Sequence, residues 1–153
     1  MGEAAQFAAV IERIARNTLA ALAGLSDELL NRPLDLPETN TLFALATHLA
    51  GAGEFWTLAL AADQTRQRDK PAEFRATGTL AALTARYADW IAAVHATLDP
   101  LPDSALTRLV HPPAEYLGPL PAELSVRECL LHAVEHAAQH LGHIELTRQL
   151  LGR

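Results

Sequence analysis

Between Ser125 and Leu150 the chain carries four of its seven histidines, at His132, His136, His140 and His143. The first three are four residues apart and the last follows three residues later. An α-helix turns about 100° per residue, so this spacing sets all four imidazoles on one arc roughly 80° wide. Imidazoles at i and i+4 stand one above the other along a helix, and a neutral imidazole nitrogen is a good ligand for a divalent metal. The chemistry suggested by the pattern is joint coordination of one ion. The motif is H-x-x-x-H, without the Glu after the first His that a zincin H-E-x-x-H needs, which excludes that kind of protease. The plain alternative is a solvated polar helix edge, and two ligands from one helix need a third from elsewhere.

Counting from His132 at zero, His143 falls near 20°, His136 near 40° and His140 near 80°, while Ala133, Ile144, Ala137, Leu130 and Leu141 lie at about 100° to 180°. His136 and His140 therefore border the apolar face. His132 and His143 point further toward solvent, and His132 is not expected to be a ligand. Each of these two is either an exposed histidine or a supporting or acid/base group beside the ligand pair.

A third imidazole must come from another element. The segment from Thr39 to about Ala62 has helical periodicity, with Leu42, Leu45, Leu49, Ala52, Trp56 and Ala59 on its apolar face. His48 lies within that face, where a polar group without a partner is costly. One partner is a backbone carbonyl or a carboxylate. The other is a metal shared with His136 and His140. The residues alone leave both open. His95 is expected on an exposed side of its helix, and His111 is not assigned to a site.

Four helices position these residues, over 3–24, 39–62, 79–98 and 125–150. Gly24 is a stop for the first, Thr39 or Asn40 an N-cap for the second and Thr79 for the third, while Ser125 with Glu128 has the capping-box form. The connector 25–38 is interrupted by Pro33 and Pro37, and Ser26-Asp27-Glu28 begins a short turn of helix in it. Residues 63–77 are polar and charged and read as a solvated surface loop. The stretch 99–124 holds six prolines and cannot be a long helix; a short hairpin pairing Leu106–Val110 with Tyr116-Leu117 is the expectation there. The predicted core comprises Leu45, Leu49, Trp56, Leu83, Trp90, Val94, Leu130, Val134, Leu141 and Ile144.

Composition agrees with an all-α fold. At 153 residues the expectation is a single domain, 1–153. Ala and Leu dominate and β-branched residues are sparse, which favours helix over sheet. A net charge of -6 without a basic cluster argues against nucleic-acid binding. No apolar run approaches a membrane span and the N-terminus lacks a signal-peptide layout. The lone Cys129 excludes an internal disulfide framework, fits a reducing cytoplasm and is expected to pack as a small apolar residue.

The stretches TNTLFALATHLAGAGEFW (Thr39 to Trp56) and LLHAVEHAAQHLGHI (Leu130 to Ile144), in this order within four helices, resemble the DinB/YfiT-like family of metalloenzymes. His48-Leu49-Ala50 matches that family's second-helix motif. His140-Leu141-Gly142-His143 departs from the usual H-x-G-Q, with His143 in place of Gln. The resemblance implies a four-helix bundle holding one divalent metal ion, zinc or nickel, through His48, His136 and His140. It also implies a homodimer acting on a small-molecule substrate. Thiol-dependent enzymes of the wider superfamily, such as mycothiol-dependent maleylpyruvate isomerase and bacillithiol transferases, point to an S-transferase or hydrolase with a low-molecular-weight thiol as co-substrate. A non-catalytic metal-binding or stress-related protein is the alternative, and a metal-free helical interaction module a weaker third.

Overall fold

The computed structural model describes residues 2–152. Its long helices are α1 (Glu3–Leu22), α3 (Leu42–Glu54), α5 (Leu80–Leu98) and α7 (Val126–Leu150). Single helical turns fall between them, at α2 (Asp27–Leu30), α4 (Lys70–Glu73) and α6 (Ala114–Leu117). α1 and α3 each pack on both α5 and α7, so the bundle runs α1, α7, α3, α5 around one core. The fold is all-α, as the composition and periodicity predict.

Local signals explain most boundaries. The Ser125 hydroxyl accepts from Glu128 N–H at 3.2 Å while Glu128 Oε2 accepts from Ser125 N–H at 2.6 Å, which closes the capping box that starts α7. Thr79 caps α5 and Ser26 caps α2, as expected. α1 ends at Leu22, and Gly24 follows in the left-handed conformation, φ +78°. α3 starts later than expected: Thr41, not Thr39 or Asn40, accepts the capping bond, from Ala44 N–H at 3.1 Å. The Thr39 hydroxyl is instead spent within the preceding turn, donating to the Leu36 carbonyl at 2.9 Å.

The second helix also changes character along its length. From Phe55 to Ala61 it widens into π-helix. Such widening inserts a residue into the i→i−4 ladder and often accompanies a functional site. This segment packs on α7 and carries the buried Trp56.

The hairpin pairs differently from the expectation. β1 (Leu109–Val110) bonds antiparallel to β2 (Leu124–Ser125), with Leu109 opposite Ser125 and Val110 opposite Leu124. Tyr116 and Leu117 instead belong to α6. Tyr116 N–H donates to the Pro113 carbonyl at 3.0 Å, closing a helical turn that withdraws Tyr116 and Leu117 from the ladder.

The core contains Leu45, Leu49, Trp56, Leu83, Trp90, Val94, Leu130 and Ile144, all buried, together with Cys129. Val134 and Leu141 are only partly buried, at the edges of the α7 stripe centred on Ala133, Ala137 and Ile144. Among the described residues no helix is long and apolar enough to cross a membrane.

Candidate metal centre

His48 stands on α3 and His136 and His140 on α7, and the packing of these two helices brings the three rings together. One ring nitrogen from each lies within 4.8 Å of the others. Ring centroids are 5.0 Å apart for His48 and His136, 4.6 Å for His48 and His140 and 4.4 Å for His136 and His140. His48 is buried and the other two are half-buried.

The tautomer of His48 is fixed from behind. Its Nδ1 lies 2.8 Å from Glu73 Oε2. A carboxylate only accepts, so Nδ1 carries the proton and Nε2 presents its lone pair to the cluster. Glu73 is held in turn by Arg68, whose Nε and Nη2 donate to its two oxygens at 2.8 and 3.0 Å. The Arg68 guanidinium lies 5.6 Å from the Phe55 ring and 5.1 Å from the Tyr116 ring, and the Tyr116 hydroxyl donates to the Arg68 carbonyl at 3.1 Å. Burial raises the Glu73 pKa, but hydrogen bonds from His48 and then Arg68 outweigh it and hold the carboxyl below its ordinary range. Phe74 covers the other side of His48, stacked at 4.3 Å.

The cluster passes a chemical test for a divalent cation. His48 Nε2 lies 3.2 Å from His136 Nε2. Two imidazole nitrogens each 2.0–2.1 Å from a tetrahedral zinc stand about 3.3–3.4 Å apart, so this pair is close to a coordination edge. Burial, with smaller contributions from the neighbouring imidazoles, pushes His136 down to about 3; burial, then His48, pushes His140 down to about 4. Both are neutral at neutral pH, the form a metal needs. His140 Nδ1 lies 3.3 Å from Nδ1 of the exposed His143. A proton donated across that contact by His140 leaves its Nε2 lone pair free.

His132 departs from its expected place. It is half-buried, its side chain 21% exposed: its ring lies 4.5 Å from Trp56, edge to face, and burial lowers its pKa. The π-helical stretch carries Trp56 against the side of α7 that periodicity alone assigns to water. The His132 Nδ1 is buried with no hydrogen-bond partner among the described residues. His95 stands away from the cluster, within 2.8 Å of Glu12 and 3.1 Å of Asp99, and His111 is exposed beside Glu123.

Glu73 and Arg68 were not singled out by the sequence, because 63–77 reads as a solvated loop. A signal was nevertheless present. Asp69 followed by Lys70-Pro71 is an N-cap before a proline in the first turn, and the Asp69 carboxylate accepts from Ala72 N–H at 2.9 Å. That cap makes α4, and α4 carries Glu73.

The family model described as Mycothiol-S-transferase matches residues 6–152. Among solved structures, that of the conserved protein of locus from Enterococcus faecalis is similar over 100% of this chain and 99% of its own, with a TM-score of 0.74 at 18% identity. At that identity the likeness is one of fold. No curated protein matches the chain.

Proposed function

The chain belongs to the mycothiol S-transferase family, a DinB/YfiT-like family, and on that premise we propose that it joins a low-molecular-weight thiol to an electrophile at a divalent metal held by His48, His136 and His140. The observation that carries this reading is the convergence of the three imidazoles from α3 and α7, with His48 Nδ1 committed to Glu73 and its Nε2 facing His136. The overall reaction is R–SH + R′–X giving R–S–R′, X⁻ and a proton. The sulfur pair forms the new S–C bond, and the pair of the C–X bond leaves with X.

A zinc or nickel ion bound there supplies Lewis acidity that favours the ionised form of a thiol sulfur at neutral pH. The chain's own residues do the rest. Glu73 fixes the tautomer and orientation of His48, and Arg68 fixes Glu73. Phe74 covers one face of the His48 ring and keeps water from it. A cleft lined by Arg68, Lys70, Tyr116, His132 and His136 opens beside it and gives a substrate access. The open approach favours a catalytic over a purely structural site, since structural zinc sites are closed by four protein ligands. A homodimer in a reducing compartment is part of the same proposal, tested by solution mass and by the state of the buried Cys129 thiol.

Metal content of the native protein, followed by mycothiol consumption with an alkylating electrophile, tests the function. One equivalent of metal and metal-dependent thiol loss are expected. Full metal loading without any thiol turnover would favour the non-catalytic alternative.

A further inference from the structure

A cavity of about 300 Å³ lies next to the three-histidine cluster, yet none of the three imidazoles lines it. It shares only Arg68 with the cleft beside His136. Glu73 separates it from His48: Oε2 bonds to the imidazole, and Oε1 is the atom nearest to a Cβ built on Gly51 in the cavity wall. Thr47, Gly51 and Phe55 are buried and form the floor from one face of the second helix. Ala72 and Ala76 complete the side, and the exposed Arg66, Gln67 and Asp69 stand at the mouth.

The floor carries an orphaned polar group. Thr47 is 8% exposed, and its hydroxyl has no hydrogen-bond partner among the described residues. Thr18, Thr57, Thr84 and Thr97 also stand within helical segments, and each donates its hydroxyl to the carbonyl four residues back. Thr47 does not. A buried hydroxyl left unsatisfied is costly, so a group from outside the chain is expected to meet it. The charged wall leaves donors over as well. Arg86 spends Nε and Nη2 on the two oxygens of Glu54, at 3.0 and 2.9 Å, and Arg68 does the same with Glu73. The Asp69 carboxylate caps α4. Arg66 gives Nη2 to the Gln64 side chain at 3.0 Å and pairs with no carboxylate among the described residues. A guanidinium has five N–H donors, and Nη1 is unspent on all three.

We propose that this cavity binds a small oxyanion, a phosphate or carboxylate group, between the Thr47 hydroxyl and the free N–H groups of Arg66, Arg68 and Arg86. The planar fork of a guanidinium matches either group. Glu54 and Glu73 are each paired through both oxygens, so they leave the anion little competition for these donors. The anion also supplies the negative partner that Arg66 lacks. No imidazole takes part, so the site stands apart from the thiol-transfer reading and does not depend on a metal. It lies on the Oε1 side of the carboxylate that orients His48.

Calorimetric titration of the metal-free protein at constant ionic strength, with inorganic phosphate and separately with malonate, tests the site. Saturable binding of one equivalent of at least one anion is expected, and the tighter of the two names the class, phosphate or carboxylate. Thr47→Val keeps the branched shape and removes only the hydroxyl. Arg66→Ala removes the guanidinium at an exposed position that the fold does not need. Each should weaken the anion about 10–100-fold, the loss expected for a hydrogen bond to a charged group. Arg75→Ala changes the net charge by the same amount in the same segment but outside the cavity, and should leave the affinity at the wild-type value. No saturable binding of either anion to wild type would overturn the proposal. Equal weakening by Arg66→Ala and Arg75→Ala would reduce it to diffuse attraction, and an unchanged affinity in Thr47→Val would remove the anion from the cavity floor; either result overturns the site. Because the metal is absent throughout, none of these outcomes bears on the S-transferase reading, which thiol turnover by the metal-loaded protein decides separately.

Discussion

Gly51 offers a sharp test of how the proposed metal centre is held. It lies one turn below His48 on the same face of α3. A Cβ added there runs into Glu73 Oε1 and meets Glu73 Cδ at 2.7 Å and Arg86 Nη2 at 3.4 Å. On helix propensity alone, Gly51→Ala should stabilise α3 by ~1 kcal/mol. The contact opposes that gain. A carboxylate at the end of a free side chain would swing away, but this one is gripped by Arg68 through both oxygens and by His48, and is 7% exposed. Moving it weakens charged hydrogen bonds of about 1.5–3 kcal/mol each, more than the propensity gain. It also frees the His48 ring. Loss of such an outer partner typically lowers metal affinity about 10–100-fold, or ~1.4–2.8 kcal/mol. The matched control is Gly142→Ala on α7, where an added Cβ meets nothing within 4 Å. That variant should gain the ~1 kcal/mol and bind metal as wild type does. Competition titration of zinc against a chelator, with melting of the metal-free proteins alongside, measures both quantities. Wild-type affinity in Gly51→Ala would refute the claim that the Glu73 carboxylate holds His48 in place.

Other outcomes follow from the same geometry. His48→Ala, His136→Ala and His140→Ala should each strongly lower metal content by elemental analysis, while His95→Ala keeps it; full loading of His48→Ala would reduce the site to a histidine pair on α7. His95 should stabilise the fold in acid. Burial opposes its charge, but hydrogen bonds to Asp99 and then Glu12 prevail and raise its pKa above 6.5. Its contribution is therefore complete below the unfolded value and lost as pH rises through the folded one, small because the group is solvent-screened. The melting difference between wild type and His95→Ala should accordingly shrink between pH 6 and 8, and a difference that grows there would reverse the assignment. His136 and His140 act in the opposite sense. With folded values near 3 and 4, the metal-free protein should lose stability as pH falls from about 6.5 toward 4, because the unfolded chain takes up those protons first. Leu49→Ala, at a fully buried position on α3, should cost ~2–5 kcal/mol in denaturant unfolding.

The fold was legible because its signals are local. Periodic Leu and Ala, Thr79 and the Ser125–Glu128 pair mark helices by interactions spanning a few residues, and the structure keeps them. What escaped depends on partners distant in sequence. The widening at Phe55–Ala61 has no composition signal of its own, and it is this segment that turns Trp56 onto His132. Helical angles alone placed His132 toward water because they describe one helix and not what packs against it.

The candidate site was legible in its imidazoles and hidden in its carboxylate. A charged stretch such as 63–77 is more stable in water than buried unless each charge finds a partner. For Glu73 one partner, Arg68, is five residues away, but the other, His48, is 25 residues away on α3. The loop can bury its carboxylate only once α3 is in place, so no local pattern announces it. The residues of α3 left His48 with two alternatives, a carboxylate or a shared metal. The geometry removes the opposition between them, because imidazole has two nitrogens. Nδ1 takes Glu73, and by doing so it leaves Nε2 unprotonated and aimed at His136, 3.2 Å away. The carboxylate is thus what prepares His48 for the ligand role proposed for it. Glu73→Gln, which still accepts from Nδ1 but loses the charge and one Arg68 bond, should for that reason weaken metal binding less than Glu73→Leu, which leaves Nδ1 without an acceptor.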